Sequence, residues 1–275
     1  MQTHAQEVSA GERFEFGKNW ARFLASLSEP QIESAVESLR HMLGAASLAG
    51  RSFLDVGCGS GLFSLAARRL GARVHSFDYD PHSVGCTQEL RRRYFGGDDG
   101  WTVEEGSALD AAYLSSLGRF DIVYSWGVLH HTGAMWEALG NIAPLVTPGG
   151  LLFIAIYNDQ GTPSRRWTAL KRFYNRSSKP VRFGVAVAVF VKQYWRPMLK
   201  DFLKLRPFDC IRNYEGKRRG MTAWRDLVDW VGGYPFEVAR PEQLFEFYRA
   251  QGFQLEKLVT CGGTMGCTEL VLRKT

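Results

Sequence analysis

The sequence predicts an α/β protein built on a doubly wound, mainly parallel sheet. From about residue 50, short apolar segments of strand character alternate with helical segments of about 10 to 15 residues. A glycine-rich turn follows the first of these strands, and an aspartate ends the second. Strands and helices in alternation form crossover units, whose helices cover both faces of a parallel sheet.

The predicted elements follow one another with few interruptions. Apolar residues recur at helical spacing in segment 32–43, which predicts an amphipathic helix that ends at Gly44. The strands that follow are predicted in SFLDVG, ARVHSFD, WTVEEG, FDIVYSW and GGLLFIAIY. The helices between them are predicted in SLAARRL, SVGCTQELRRRYF and AMWEALGNIAPLV. The alternation stops over residues 158–236. It resumes with the helix EQLFEFYRAQG and the strands FQLEKLVTC and TELVLRKT, which the glycine-rich GGTMG can join antiparallel.

Composition excludes several classes of protein. With 275 residues, 45% apolar and 23% charged, the chain is typical of a globular protein of one large domain or of one domain carrying a sizeable insertion. Five cysteines without a Cys-x-x-Cys pair argue against a zinc ribbon or a secreted disulfide framework, and no metal site is predicted. The N-terminus lacks the apolar core of a signal peptide. The longest apolar run, 183–191, is shorter than the roughly 20 residues that span a bilayer. We therefore expect a soluble, cytoplasmic protein.

The net charge of +6 is unevenly distributed along the chain. Between residues 157 and 240 there are 18 Lys and Arg against 7 Asp and Glu, a balance of +11. The remainder has 16 basic and 21 acidic residues, a balance of −5. A positive surface attracts phosphate, carboxylate, nucleic acid or an anionic membrane. The basic excess lies in the segment where the alternation of strands and helices stops. We therefore predict a basic, aromatic, largely helical cap at 158–236, inserted after the fifth strand.

The glycine-rich turn is the sharpest local signal. Gly57, Gly59 and Gly61 form a G-x-G-x-G pattern between a strand and its helix. Glycines there allow a tight turn and bring backbone N–H groups close to a ligand at the helix N-terminus. A dinucleotide fingerprint requires its third glycine at position 62, which is Leu62. The pattern therefore favours a different nucleotide-type ligand.

Asp78, at the end of the second strand, is the second signal. A carboxylate in this place can accept both hydroxyls of a ribose, as in other doubly wound nucleotide-binding folds. The alternative is that Asp78 caps the next helix, but Asp80 beside Pro81 suits that role better. We favour Asp78 as a ribose ligand.

These segments resemble the class I S-adenosylmethionine-dependent methyltransferases. The matching stretches are LDVGCGSG, VHSFDYDP, VEEGSALD, FDIVYSWGVLHH and LVTPGGLLFIA, together with the helix and two strands after Pro241. The resemblance implies a Rossmann-like, seven-stranded sheet in the order 3-2-1-4-5-7-6 with strand 7 antiparallel. It implies S-adenosylmethionine as cofactor and S-adenosylhomocysteine as product. The core would comprise 50–157 and 237–275, and segment 1–49 would cover the cofactor site.

The resemblance also implies roles for individual residues in cofactor binding. The methionine half of the cofactor would be held by the loop residues Gly57, Cys58, Gly59 and Gly61, with Asp55 near its amino group. Asp78 would hold the ribose, and Tyr79 would lie beside the adenine. The edge of the adenine would be bound by Ser107 and Ala108, and the floor of the site beside the sulfonium would be formed by Ser125 and Trp126. Many members of the family have Asp where Ser107 stands. The FEFGKNW segment, with Phe16 and Trp20, would fold over the cofactor, or else would be an aromatic plug on the sheet edge.

Two groups of residues are candidates for catalysis. His130 and His131 follow the fourth strand at the carboxyl edge of the sheet, where a histidine could remove a proton from a hydroxyl. Alternatively, one histidine packs against the cofactor and the other caps a helix. Tyr157 and Asn158 end the fifth strand and should face the same crevice, unless they belong to a plain polar loop. No Asn-Pro-Pro-Tyr-type motif follows the fourth strand, which disfavours methylation of base amino groups or glutamine amides.

The cap is predicted to bind the acceptor. Arg165 and Arg166 would bind an anion, and Trp167 and Tyr174 would stack on a ring. The run Lys217–Arg219 adds to the basic character. The same mixture could line a nucleic-acid channel, or could be a lid whose basic residues are solvated helix faces. The apolar stretch 183–191 with the basic and aromatic residues after it also resembles an interfacial helix, which predicts peripheral membrane contact.

The predicted function is O-methylation of a small or medium anionic acceptor, such as a sugar, a glycan, a polyketide or an aromatic acid. The alternative is an RNA methyltransferase that uses the basic cap to hold phosphate. A third hypothesis, a cofactor-binding protein without catalysis, is disfavoured because the pocket-lining motif is intact. The identity of the acceptor is left open by the sequence.

Overall fold

The computed structural model describes residues 3–212, 222–262 and 264–275. The predicted basic run Lys217–Arg219 lies outside the described residues.

Seven strands form one sheet in the order β3-β2-β1-β4-β5-β7-β6. They are β1 Ser52–Val56, β2 Arg73–Asp78, β3 Trp101–Glu105, β4 Phe120–Trp126, β5 Val146–Tyr157, β6 Phe253–Val259 and β7 Cys267–Lys274. Strands β1 to β5 pair in parallel, whereas β7 runs antiparallel to both β5 and β6. The predicted fold class and strand order are confirmed.

Helices surround the sheet and build the cap. They are α1 His4–Ser9, α2 Gly17–Ser26, α3 Glu29–Leu43, α4 Leu62–Arg69, α5 Pro81–Phe95, α6 Ala111–Ser116, α7 Met135–Ile142, α8 Thr162–Arg176, α9 Lys179–Leu203, α10 Asp209–Arg212, α11 Ala223–Gly232 and α12 Pro241–Arg249. Helix α3 ends at Gly44, as predicted, because this glycine adopts the left-handed conformation at the C-cap.

Two hydrophobic cores hold the layers together. On one face of the sheet, α3, α4 and α5 pack against strand side chains such as Phe53. On the other face, α6, α7 and α12 pack against neighbours such as Leu54. Successive strand residues point to opposite faces, so the strands covered on both sides are apolar throughout.

Several details differ from the predicted elements, and helix α2 is among those that were not predicted. The short helix α6 was not predicted; it begins where the Asp110 side chain accepts a hydrogen bond from the Tyr113 amide. Helix α1 was not predicted either, and it begins with a capping box between Thr3 and Gln6. Strand β5 begins at Val146, earlier than predicted, and its pairing with β4 shifts register near its start. Short capped helices and irregular strand ends carry little hydrophobic periodicity, so patterning does not detect them.

The cap follows β5 and precedes α12. Helices α8, α9 and α11 enclose a separate small core whose buried members are Tyr174, Ala186, Tyr194, Ala223, Leu227 and Val231. Within the described ranges, no helix combines the length and apolar character that crossing a bilayer requires.

Candidate active site

A cavity of about 770 Å³ opens at the carboxyl ends of the parallel strands. The sheet forms its floor, the N-terminal segment one wall and the cap another. It is lined by eleven of the residues predicted to bind cofactor, namely Phe16, Trp20, Asp55, Gly57, Cys58, Gly59, Asp78, Tyr79, Ser107, Ala108 and Trp126. Topology explains this convergence, because ligands of such sheets bind beyond the carboxyl ends of the strands.

The glycine loop is shaped by close packing. Gly57 has a φ of 78°, and a Cβ atom built on it would lie 2.2 Å from Cγ1 of Val128. The amides of Gly57 and Cys58 both donate to the carbonyl oxygen of Phe77, at 2.9 and 3.1 Å. These two N–H groups therefore hold the turn against β2, contrary to the expectation that they face a ligand.

Gly61 and Ser125 do not line the cavity, although both were predicted to bind cofactor. A Cβ atom on Gly61 would lie 2.8 Å from Oγ1 of Thr87, so this glycine allows α4 and α5 to approach closely. The Ser125 hydroxyl is buried and donates to the Val56 carbonyl oxygen at 3.0 Å. Gly61 and Ser125 therefore support the wall of the cavity without lining it.

Asp78 lies in the cavity with its carboxylate held from two sides. One oxygen accepts from the Gly59 amide at 2.9 Å, and the other accepts from the Asp80 amide at 2.9 Å. Each carboxylate oxygen has a second lone pair, so two further donors can bind. Burial raises the pKa of Asp78 to about 6, and the two backbone hydrogen bonds oppose that rise.

Asp55 ends a buried chain of polar side chains. The Trp101 indole N–H donates to the Ser76 hydroxyl at 2.9 Å, and Ser76 lies 2.8 Å from the Ser64 hydroxyl. Ser64 in turn donates to the Asp55 carboxylate. Burial raises the pKa of Asp55 to about 7. The chain orients the carboxylate from below while Asp55 remains part of the cavity lining.

The N-terminal segment closes one side of the cavity. Arg13 donates to the carbonyl oxygens of His131 and Thr132 at 2.8 and 3.3 Å, and it pairs with Glu7. Its guanidinium lies 5.0 Å from the centroid of the Tyr79 ring. These contacts fasten residues 3–16 to the loop after β4; we call this segment the strap.

The two histidines occupy different environments. His131 lines the cavity, and its Nδ1 lies 2.6 Å from the Pro235 carbonyl oxygen. A carbonyl can only accept, so Nδ1 carries the proton and Nε2 keeps its lone pair. Burial lowers the pKa of His131 to about 3, against the raising effect of that hydrogen bond. His130 is fully buried and does not line the cavity; the Tyr157 amide donates to its Nδ1 at 3.3 Å.

Tyr157 is the centre of an aromatic cluster at the end of β5. Its ring centroid lies 3.9 Å from that of His130 and 5.3 Å from those of both Trp230 and Phe236. Tyr157 lines the cavity, as predicted from its strand-end position. Asn158 does not: its side-chain amide donates to the Thr264 carbonyl oxygen at 3.4 Å, which directs it toward the β6–β7 turn.

The structure does not bring the predicted acceptor residues of the cap into the cavity. Arg165 and Arg166 are exposed on α8, and Tyr174 is buried in the cap core. Trp167 packs against Trp230 with ring centroids 5.5 Å apart. The cap residues that do line the cavity are Gln193, Tyr194, Asp226, Leu227, Asp229 and Trp230. In the described part of the cap, this inner face is aromatic, neutral and acidic.

A match to known proteins agrees with this architecture. Residues 21–201 match the family model described as "Methyltransferase domain". The chain belongs to this family. Its cofactor is therefore S-adenosylmethionine, and its Rossmann-like sheet is that of the class I methyltransferases.

Similar proteins differ in the reactions that their names describe. The chain is 36% identical over 128 residues to a tRNA U34 carboxymethyltransferase of Methylococcus capsulatus, covering 46% of this chain and 38% of the relative. It is 33% identical over 114 residues to a ubiquinone biosynthesis O-methyltransferase of Burkholderia multivorans, covering 41% and 47%. The chain thus spans less than half the length of these curated relatives.

A solved structure reproduces the fold across nearly the whole chain. The N-methyltransferase NodS of Bradyrhizobium japonicum, crystallised with S-adenosylhomocysteine, superposes with a TM-score of 0.53 at 16% identity. The superposition covers 94% of this chain and 98% of NodS. At this identity the likeness shows the fold.

The residues of this methyltransferase fit its cofactor. The Asp78 carboxylate is oriented by two backbone amides and has lone pairs left for two hydroxyls. Asp55 and Asp78 line the same cavity, so the site is electronegative, which suits a positively charged sulfonium. This arrangement suits a ribose at Asp78, and the place of the methionine half along the Gly57–Gly61 loop stays a prediction.

Several residues of the site were missed by sequence reasoning. Arg13 of the strap is one of them, and its place just before the aromatic FEFG segment was a usable signal. Asp226, Asp229 and Trp230 are others; their spacing puts them on one face of a helix, and that spacing could have been recognised. The inner face of the cap cannot be found from its composition, because the count of charges does not say which side each residue faces.

Proposed function

We propose that this protein methylates a hydroxyl oxygen of a small ring-containing acceptor whose buried end is neutral or cationic. The observation that carries the proposal is the inner face of the cap, where Asp226, Asp229 and Trp230 line the cavity beside Tyr157. Carboxylates there disfavour an anionic group, and the aromatic side chains offer a ring to stack on. The proposal therefore departs from the expectation of an anionic acceptor.

The name of one relative, ubiquinone biosynthesis O-methyltransferase, supports oxygen as the acceptor atom. So does His131, whose Nε2 lone pair belongs to a ring that lines the cavity. Such a nitrogen can accept a hydrogen bond from a hydroxyl and so orient it. The division of labour in which 1–49 covers the cofactor and 158–236 serves the acceptor stays a prediction, as does a cytoplasmic location.

The chain's own residues supply positioning and a place for a proton. Bound S-adenosylmethionine supplies a methyl group on a sulfur that is already a good leaving group. His131 is neutral near pH 7, because its pKa is about 3, and it would orient the acceptor hydroxyl rather than hold its proton. Asp226 and Asp229, on α11, would receive that proton. Tyr157 and Trp230 would exclude water and fix the angle of the acceptor ring.

RNA is the second candidate acceptor, and one observation favours it. Two of the curated relatives are named tRNA U34 carboxymethyltransferases, and the match to the Klebsiella pneumoniae protein extends over 68% of this chain at 31% identity. The exposed arginines of α8 lie outside the cavity, where they could contact a phosphate backbone.

The test compares acceptors that share one phenolic ring. Release of S-adenosylhomocysteine would be measured with a phenol bearing an amine, a neutral phenol, a phenol bearing a carboxylate, and a tRNA transcript. We expect the amine-bearing or neutral phenol to be the best substrate. The double variant Asp226→Asn/Asp229→Asn should reduce the preference for the amine at least about tenfold, since it removes two charges near the acceptor. The matched control is Glu242→Gln/Glu246→Gln, which makes the same charge change on exposed positions of α12.

A second pair of variants separates the two candidate acceptors. Arg165→Ala/Arg166→Ala should leave turnover of a small phenol unchanged, because neither side chain lines the cavity. If RNA is the acceptor, the same variant should weaken RNA binding, and affinity should fall steeply with salt. Preference for the carboxylate-bearing phenol, unaltered in the Asp226→Asn/Asp229→Asn variant, would rule out the proposed acceptor class.

A further inference from the structure

Helix α9 carries two parallel lines of residues along its outer side. Val191, Trp195, Leu199 and Leu203 recur every four residues, and all four are exposed. Each is followed directly by a basic residue, and these are Lys192, Arg196, Lys200 and Lys204, also exposed. Each step of four residues turns about 40° round a helix, so the two lines wind slowly round α9, and each basic residue lies about 100° further round than the apolar residue before it. The second half of α9 therefore presents an apolar line with a basic line beside it.

The apolar line continues at both ends. Phe183 and Val187 continue the four-residue spacing toward the start of the helix, with 64% and 36% of their surfaces exposed, but the winding of the line places them on a different side of α9 from Leu203. Toward the other end, Phe202 in the last turn and Leu205 just past the C-terminus are also exposed, by 69% and 90%. Soluble monomers rarely expose a contiguous apolar patch of this length, and one that is bordered by charge marks an interaction site. We call these residues the α9 ridge.

We propose that the α9 ridge docks the protein on an anionic phospholipid surface. Apolar side chains would enter the boundary between headgroups and acyl chains, and the basic line would pair with lipid phosphates. The aliphatic stems of Lys and Arg allow their charges to reach the headgroups while the neighbouring apolar residues are buried. In the part of the chain that the structure describes, no helix is suited to span a bilayer, so the ridge would lie along the membrane surface.

Charge distinguishes a lipid surface from other partners. An RNA backbone would satisfy Lys192, Arg196 and Lys200 but would leave the apolar line in water. A second copy of this chain would cover the apolar line but, across a two-fold axis, would place basic lines close to each other. An anionic membrane satisfies both lines at once.

The position of α9 connects the ridge to the active site. Gln193 and Tyr194 lie between Val191 and Trp195 in the chain, yet both line the cavity. The helix thus contributes to the cavity and to the ridge from adjacent positions. Docking would place the cavity close to the lipid surface, where an amphiphilic acceptor concentrates.

The experiment is co-sedimentation of the full chain with vesicles, without cofactor or acceptor, so that its result does not depend on the proposed function. Vesicles of phosphatidylcholine alone would be compared with vesicles that also contain phosphatidylglycerol. We expect binding to the anionic vesicles only. Lys192→Glu/Arg196→Glu/Lys200→Glu should reduce that binding at least about tenfold. Val191→Ser/Trp195→Ser/Leu199→Ser should reduce it at least about tenfold as well.

The matched control is Arg51→Glu/Arg73→Glu/Arg119→Glu. It makes the same change in charge on exposed residues at the opposite edge of the sheet, and it should retain binding within about twofold. Circular dichroism would verify that each variant is folded. Failure of the wild type to bind anionic vesicles would overturn the proposal. So would loss on charge reversal but not on serine substitution, which indicates a purely electrostatic surface, and so would a ridge-dependent dimer that does not bind vesicles.

Discussion

The ammonium group of Lys171 lies 4.1 Å from the centroid of the Trp230 ring and donates a hydrogen bond to the carbonyl oxygen of the same residue. Asn175, one turn further along α8, donates to the Gly232 carbonyl oxygen at 2.6 Å. The last carbonyls of a helix have no partner within it, so α8 supplies partners for the end of α11. Helix α8 thereby positions Trp230 and Asp229 at the cavity.

Lys171 should make the stability of the protein depend on pH. Burial lowers its pKa to about 7, against about 10.4 in an unfolded chain. Between these values the unfolded state binds more protons, so the free energy of unfolding rises with pH. The difference between wild type and Lys171→Met should shift in favour of the wild type by about 2 kcal/mol from pH 7 to pH 9. Urea unfolding at several pH values measures this, and a pH-independent difference would contradict it.

Asp78 should make cofactor affinity depend on pH. Its pKa is about 6 in the free protein, and hydroxyls that donate to the carboxylate stabilise its ionised form. Affinity for S-adenosylhomocysteine should therefore be highest above pH 6 and should fall about tenfold per pH unit below it. Asp78→Asn should weaken binding at least about tenfold and flatten this profile. Calorimetry measures both, with the exposed Asp99→Asn as control; an unchanged affinity would remove Asp78 from the ribose role.

Gly57 and Gly118 allow backbone strain to be separated from steric overlap. Both have a φ near 78°, but only Gly57 faces another residue, Val128, within 4 Å. Gly118→Ala should cost about 1–2 kcal/mol for the left-handed backbone alone. Gly57→Ala should cost a further 1–3 kcal/mol, roughly, because Val128 must move, and should weaken cofactor binding. Adding Val128→Ala should restore part of the loss; equal costs for the two alanine variants would exclude the overlap.

Arg13 should control how fast cofactor leaves. Its hydrogen bonds to the His131 and Thr132 carbonyls fasten the strap across the cavity. Arg13→Gln should raise the dissociation rate of S-adenosylhomocysteine at least about tenfold, because charged hydrogen bonds contribute about 1.5–3 kcal/mol. Arg40→Gln, on exposed α3, is the control. Stopped-flow displacement gives the rates, and equal rates in both variants would mean that the strap is not a barrier.

Patterning predicted the core of this fold more fully than the cap. The strands from Ser52 to Tyr157 alternate with helices, and buried parallel strands are apolar whatever they later bind. Gly57 and Asp78 were identified because their chemistry is tied to fixed points, the first turn and the second strand end. For both residues, the local sequence determines where the residue lies in the fold.

The proposed acceptor wall of the cavity could not be predicted in the same way. Arg165 and Arg166 were expected in the cavity because the cap is basic, but both face outward, and Asp226 and Asp229 face inward. The sequence of a helix does not state which of its sides faces a cavity, because that depends on how the helix packs against other elements. The adjacent histidines show the same limit: one faces the cavity and the other is buried behind Tyr157.

The two elements that line the proposed acceptor site, β5 and α11, differ in how well they tolerate substitution. Tyr157 ends a strand that pairs with β4 on one side and β7 on the other, so a new side chain there is constrained by the whole sheet. Asp226, Asp229 and Trp230 share one face of a single helix. With the proposed placing of the acceptor, a few substitutions on α11 should therefore redirect the enzyme to a new acceptor while the cofactor half stays as it is. Directed evolution of altered selectivity should begin there.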